Sequence, residues 1–255
     1  MGHIIAMVCH KGGVGKTTTA ASLGGYLAMK GERVLLVDLD AQKNLTKTFV
    51  ADEDLVGEDT VFEALAGKCK RLPVHYVREN LDIVPSADSM CSVDLVFGGV
   101  TGKEFLLADL LDGVKGDYDW IIIDTPAQIG TSTANALVAA DRAVIPMSCD
   151  CYSLGGLKQI YELIEPIRKR FNRGLDVSGI LLTKFNHRRK VDQETERQLT
   201  KKYGSLMFET RIRECAAISK APFAKMDICT FDRECNGSVD YMAFADELKK
   251  RIGCR

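Results

Sequence analysis

The chain has 255 residues, 46% hydrophobic and 27% charged, a composition that can bury a sizeable core and excludes intrinsic disorder. Its 34 Lys and Arg against 35 Asp and Glu leave a formal net charge of −1, which excludes a globally basic nucleic-acid binder, so any basic patch has to be local. The apolar runs are strand-sized, well short of the roughly 20 residues that span a bilayer, and the N-terminus lacks the order of a secretory signal, so the expectation is a cytoplasmic protein without stable membrane insertion.

Short apolar runs alternate with longer amphipathic stretches throughout. The pattern predicts strands over 3–9, 33–38, 81–85, 120–124, 142–147 and 177–183, each nearly continuous in aliphatic or β-branched residues, as for parallel strands buried on both faces. Helices are predicted over 16–30, closed by Gly31, and over 103–111, 131–140, 154–171, 191–203 and 239–252. Repeated βα units of this kind build an α/β fold: a three-layer, doubly wound, mainly parallel twisted sheet with helices on both faces. No linker rich in Pro, Gly or Ser divides it, so 1–255 is expected to be a single domain. Residues 52–80 are the least patterned and are expected to form a variable surface excursion.

The first functional signal follows the first strand. His10-Lys11-Gly12-Gly13-Val14-Gly15-Lys16-Thr17-Thr18 leads into a helix, the strand, glycine loop and helix order of a phosphate-binding P-loop. Glycines let backbone amides turn inward around phosphate oxygens, and the helix offers its positive end to the same anion. Lys16 is expected to reach the β- and γ-phosphates of ATP, and Thr17 to offer its hydroxyl to Mg²⁺. The next strand ends in Asp38-Leu39-Asp40-Ala41-Gln42, where period two places Asp38 and Asp40 on one side of the chain at the carboxyl end of a parallel strand. An Asp-capped turn is the simpler alternative. The strand 120–124 delivers Asp124 ahead of Thr125-Pro126, the form of a Walker B carboxylate aimed at Mg²⁺, and residues 127–131 follow as a candidate switch loop.

The run Lys11-Gly12-Gly13-Val14-Gly15-Lys16-Thr17-Thr18 resembles the deviant Walker A, or signature-lysine, ATPases, the family of ParA/Soj, MinD and the nitrogenase iron protein. The usual loop has glycine where this chain has His10. The resemblance implies that Lys11 reaches across a dimer interface to the partner's nucleotide. It also implies that Asp40, in a stretch similar to the family's D-x-D-P-Q with Ala41 in place of proline, orients the attacking water. Asp124, Asp38 and Thr17 are the candidate metal ligands, and Thr183 and Lys184, ending the run Gly179-Ile180-Leu181-Leu182, are expected near adenine. Leu81-Asp82-Ile83-Val84-Pro85-Ser86 and Ala143-Val144-Ile145-Pro146-Met147, with Tyr152-Ser153-Leu154-Gly155-Gly156-Leu157, extend the resemblance to ParA/Soj proteins over essentially the whole chain.

Between 168 and 202 eleven Lys or Arg stand against four acids, a local excess that fits sequence-independent contact with DNA phosphates, or else solvated helix faces. Arg188, Arg189 and Lys190 are candidates within it. Arg213 and Lys220 are further candidates, in a segment that resembles the family's I-P-R-N-V-R-L-S-E-A-P but replaces both of its arginines, with Glu214 and Ala217. The resemblance implies an ATP-bound homodimer on nonspecific DNA, nucleoid-associated in that state, with hydrolysis stimulated by a ParB-like adaptor. A MinD-like membrane-cycling ATPase is the alternative. It would need an amphipathic C-terminal helix, for which only Leu248 and Ile252 are available as aliphatic anchors.

Nine cysteines without a C-x-x-C pair suggest neither a disulfide framework nor a zinc knuckle. Cys149 and Cys151 have no other ligand pair at metal spacing, and none lies at the switch loops for an iron–sulfur cluster.

Overall fold

The structure, a computed structural model, describes residues 2–149 and 153–253, without the side chains at 153, 154 and 156. Cys151, Tyr152 and Cys254 lie outside the described residues. Eight strands, β1 (His3–Met7), β2 (Val34–Asp38), β3 (His75–Arg78), β4 (Leu81–Val84), β5 (Trp120–Asp124), β6 (Arg142–Ser148), β7 (Asp176–Phe185) and β8 (Met207–Arg213), form one sheet in the order β3-β4-β2-β5-β1-β6-β7-β8. Neighbours are parallel except in the β3–β4 hairpin at one edge.

Helices α1 (Lys16–Met29), α2 (Asn44–Phe49), α3 (Val61–Leu65), α4 (Val93–Phe97), α5 (Leu106–Asp112), α6 (Thr131–Ala139), α7 (Ser153–Arg170), α8 (Lys190–Tyr203), α9 (Ala216–Lys220), α10 (Ile228–Phe231) and α11 (Asn236–Arg251) complete the chain. Strand residues divide by period two between two cores. Ile4, Ala6, Leu35, Val37, Ile121 and Ile123 face the layer of α3 to α8, whereas Ile5, Met7, Val34, Leu36, Trp120 and Ile122 face the layer of α1, α2, α10 and α11. Burial on both faces, worth about 1.5–3 kcal/mol per large apolar side chain, is why these strands read as continuous apolar runs. The sheet thus has the three-layer, mainly parallel, doubly wound form expected from the sequence.

The segment 52–80 departs from expectation only in part. It is mostly exposed or half-buried, but helix α3 carries a full capping box between Thr60 and Glu63, and Val61, Phe62, Ala64, Leu65 and Leu72 anchor it to the core. A five-residue helix and a four-residue edge strand are too short to show periodicity. Strand β8 also lacked a signal, because Glu209, Arg211 and Arg213 interrupt its apolar residues at the sheet edge. Helix α11 covers that edge: the Glu247 carboxylate accepts from the amides of Glu209 and Thr210 at 2.7 and 2.9 Å, and the Arg251 guanidinium lies over the Phe208 ring.

Close approach of α1 to α10 requires Gly25, where an added Cβ would lie 2.2 Å from the Asp227 carboxyl carbon. Asp227 cannot yield easily, since it accepts from Arg78 and from the amide and hydroxyl of Thr230. Gly25→Ala is therefore expected to destabilise by about 1–3 kcal/mol through overpacking, more than the gain of up to ~1 kcal/mol in helix propensity. Urea denaturation checks this, and an unchanged or higher midpoint would refute it.

Candidate active site

The order of strands reverses around β1, and the loop that follows it occupies the crevice at the carboxyl ends of the sheet, where α/β folds hold ligands. Gly13 and Gly15 have φ of +73° and +87°, a region costly to any residue with a Cβ, and they turn the chain into α1. Gly15 is the N-cap and supplies no side-chain acceptor, so the first amides of α1 remain directed at the loop. Lys16 is buried, and its ammonium donates to the Lys11 carbonyl at 3.0 Å. Lys11 itself is half-buried.

Two anchors fix the loop from outside. The Thr183 hydroxyl, at the end of β7, donates to the Val14 carbonyl at 2.7 Å. His10 Nδ1 lies 3.1 Å from the Ala127 carbonyl, which joins the glycine loop to the candidate switch loop.

Asp38 and Asp124 end adjacent strands in register, and both are fully buried. They are not equivalent. Asp38 accepts from the Asp40 amide at 3.0 Å and from the Thr46 amide and hydroxyl at 2.9 and 2.8 Å. Asp124 accepts from the Thr17 hydroxyl at 2.6 Å through Oδ2, whereas its Oδ1 has no hydrogen-bond partner among the described residues. Burial raises Asp38 to about 6 despite the Thr46 and Asp40 donors. Burial first, and then the Asp38 charge, hold Asp124 well above the ordinary carboxylate range. The arrangement pairs two buried carboxyls, one of whose oxygens has no hydrogen-bond partner among the described residues, with the Thr17 hydroxyl, a set of oxygen donors that could hold a hard cation.

Gly12, Gly13, Gly15, Lys16, Thr17, Thr18, Asp40 and Lys184 all line one cavity of about 520 Å³. An adjoining cavity of about 410 Å³ is walled by Thr183, Lys184 and the 212–219 segment. Asp40 also accepts from the Gln42 amide at 3.0 Å, so the turn-capping alternative and the cavity position hold together. Neither Asp38 nor Asp124 lines the cavity itself: both carboxylates are fully buried behind it, and Thr17, which donates to Asp124, is the residue that reaches its wall. Residues that the sequence did not single out also reach the cavity: Asn44, Lys47 and Thr48 from α2, and Pro222, Met226 and Ile228 from the far side. The three-residue and four-residue spacing of Asn44, Lys47 and Thr48 on one helical face was the available signal.

The basic region divides in two. Arg168, Lys169 and Arg170 end α7 before β7 begins, and Lys201 and Lys202 end α8 on its return. Lys184, Arg188, Arg189 and Lys190 cluster instead at the carboxyl end of β7, whose ten residues span roughly 30 Å. Sequence proximity concealed this separation. Arg189 is held by Glu214 in a bidentate pair at 2.8 and 3.1 Å, and Arg213 by Asp240 at 2.7 and 2.9 Å, while Arg188, Lys190 and Lys220 are exposed.

A glycine loop between β1 and α1, with a Walker B aspartate ending the neighbouring β5, is the arrangement of the P-loop ATPases. A family model described as an AAA domain matches residues 2–177. The chain is 34% identical to the chromosome-partitioning ATPase Soj of Treponema pallidum over 100% of both chains, and 34% identical to the sporulation initiation inhibitor protein Soj of Bacillus subtilis over 97% of this chain and 98% of that one. In structure it is similar to cobyrinic acid a,c-diamide synthase of Mycobacterium smegmatis with bound ADP and magnesium, at a TM-score of 0.86 and 28% identity, covering 99% of this chain and 96% of that chain. The chain belongs to the ParA/Soj family of P-loop ATPases. No helix among the described residues is long and apolar enough to cross a membrane.

The raised carboxylates have a consequence for stability. A folded-state pKa above the ordinary 3.8 means that the folded state binds the proton more tightly, so the stability this pair contributes is fully present below about 3.8 and is lost as pH climbs through about 6. Asp124→Asn removes the neighbouring charge while keeping an acceptor for Thr17. Its melting temperature without nucleotide is expected to exceed that of the parent at pH 8 and to vary less between pH 5 and 8. Parallel pH profiles for the two proteins would contradict this.

Proposed function

We propose that this chain is a ParA-like partitioning ATPase whose ATP- and Mg²⁺-bound form pairs with a second copy, binds DNA without sequence preference and is released when a ParB-like partner stimulates hydrolysis. The observation that carries the reading is the buried Asp124 oxygen without a hydrogen-bond partner among the described residues, on a carboxylate that accepts from the Thr17 hydroxyl at the start of α1, directly after a loop whose Gly13 and Gly15 have positive φ.

In this reading the amides of residues 12–18 and the start of α1 bind the phosphates, and Lys16 exchanges the Lys11 carbonyl for phosphate oxygen. Thr17 and Asp124 would hold Mg²⁺, whose charge, with that of Lys16, would favour ionised Asp124 against the opposing effect of Asp38. When bound, Mg²⁺ neutralises charge on the phosphates. Asp40, on the cavity wall, positions the attacking water. Thr183, Lys184 and the second cavity take the base. Lys11, supplied to the partner's site, stabilises charge on the transferred phosphoryl group, so a monomer hydrolyses slowly.

Support for partitioning comes from two full-length relatives at 34% identity that are named Soj, against 28% for the synthase. Support for DNA contact comes from Lys184, Arg188 and Lys190, which stand on the same edge of the sheet as the phosphate loop. The membrane-cycling alternative is disfavoured, because α11 spends Leu248 on the core, Lys249 on Glu32 and Arg251 on Glu247.

Lys11→Ala is expected to bind ATP normally but to lose roughly 10³-fold or more in hydrolysis, whereas Lys16→Ala loses productive nucleotide binding. Asp40→Ala is expected to retain ATP and accumulate as a dimer in size-exclusion chromatography. Rapid turnover by the Asp40 variant would remove its role. In gel shifts with random DNA, binding is expected with ATP only, and Arg188→Ala with Lys190→Ala should reduce the slope of log K against log salt by about 2. Lys201→Ala with Lys202→Ala, at the opposite end, should leave that slope unchanged. Equal binding with ATP, ADP and no nucleotide would defeat the switch.

A further inference from the structure

Three cysteines outside the phosphate site, Cys215, Cys229 and Cys235, meet where the chain leaves β8 and where α11 begins. Cys215 is half-buried and forms part of the wall of the base-side cavity. Cys235, also half-buried, is the N-cap of α11, where its sulfur accepts from the Ser238 amide at 3.4 Å. The two thiols are near enough for each to shift the other's ionisation, and both are free. Backbone approach is tight: a Cβ added to Gly237 would stand 3.2 Å from the Cys215 Cβ. Cys229 behaves differently, being buried against the Ser22 carbonyl.

We propose that Cys215 and Cys235 form a reversible disulfide, made by a peroxide oxidant, that closes the strand–helix junction at the base end of the nucleotide cavity. The two are 20 residues apart in sequence, and the approach of Cys215 to Gly237, two residues past Cys235 in the first turn of α11, brings them to the same junction. The two thiols divide the work. Burial pushes the Cys215 thiol up, but the amides of Gly237, Ala217 and Ile218, together with Cys235, outweigh it and hold Cys215 below the usual thiol range. Burial raises Cys235, which therefore remains the protonated donor. Burial also raises Cys229, to about 12, which leaves it the least reactive of the three.

The chemistry balances with one peroxide. The Cys215 thiolate attacks a peroxide oxygen, the O–O bond breaks, and the departing hydroxide takes a proton to leave as water, which gives a sulfenic acid. The Cys235 sulfur then attacks the Cys215 sulfur, the S–O bond breaks, and the departing hydroxide takes the Cys235 proton. The two sulfurs together lose two electrons, and one hydrogen peroxide becomes two waters. In a reducing cytosol such a bond is transient and regulatory rather than structural.

The effect on nucleotide rests on the proposed ATPase reading. Shortening the sulfur separation to about 2.05 Å draws the Cys215 wall towards α11 and away from a bound base. Nucleotide affinity is expected to fall about tenfold, the equivalent of one lost packing contact. Full-length protein is treated with hydrogen peroxide in steps, mapped by non-reducing peptide mass spectrometry, and titrated with a fluorescent ATP analogue before and after dithiothreitol. The expected result is a 215–235 linkage with affinity lost and then restored. Cys229→Ser should keep the linkage. Cys235→Ser should bind the analogue like the parent under reducing conditions and become insensitive to peroxide. A 229–235 linkage, no linkage at all, or a 215–235 linkage with unchanged affinity overturns the proposal. Failure of reduced protein to bind the analogue would instead count against the ATPase reading, because the peptide map is read independently of nucleotide.

Discussion

A repulsion enforced by the sheet governs the site. Strands β2 and β5 are adjacent and in register, so Asp38 and Asp124 must end side by side, in a place with no access for water. Two carboxylates about 5 Å apart repel by about 3 kcal/mol at an effective dielectric of 20, before any cost of burial. The fold resolves this on one side only. Asp38 is satisfied by the turn into α2, where the Thr46 hydroxyl donates to it while accepting from the Ser86 amide. Asp124 receives the Thr17 hydroxyl and, among the described residues, no donor on its second oxygen. Equivalent residues on equivalent strands therefore differ in how far protein donors satisfy them, Asp38 by three and Asp124 by one.

The same economy applies to the phosphate loop. Its shape without ligand is kept by contacts a ligand can exchange, such as Lys16 on the Lys11 carbonyl, and by contacts a ligand leaves alone, such as Thr183 on Val14. The second kind keeps the loop organised, so the entropy of ordering it is largely spent during folding. His10 adds a link that glycine could not make, since its ring nitrogen meets the carbonyl of Ala127. Movement of residues 127–131 would thus be felt directly at the loop.

Legibility in the sequence followed the strength of local physics. Strands buried on both faces leave unbroken apolar runs, and for that reason β1, β2, β4, β5, β6 and β7 could be read directly. The P-loop was legible because glycine and lysine spacing there answers to one ligand chemistry. Strand β8 was not, because an edge strand alternates charge with apolar residues and draws its stability from α11, a partner remote in sequence. Helix α3 is a single turn whose identity lies in the Thr60–Glu63 cap. Spacing alone grouped Asp38 with Asp40, yet the first turned out to lie beneath the site and the second on its wall, a difference created by Thr46 eight residues later. The split of the basic region is likewise topological, since a long strand between two helices separates charges that are neighbours in sequence.

On the proposed reading, that split also bears on how nucleotide state reaches DNA. Lys184 lines both cavities and lies four residues before Arg188. Arg189, next in line, is held by Glu214, which itself walls the base-side cavity. A DNA phosphate that takes Arg189 must displace Glu214, and an exposed pair of this kind is worth at most about 1 kcal/mol, little enough to be exchanged. Arg213 is different, because its partner Asp240 is buried within α11 and also accepts from the Arg213 amide, so the pair fixes the junction of β8 and α11. One ion pair that yields and one that does not, on either side of the same cavity wall, let the wall respond to its occupant while the strand behind it stays in place.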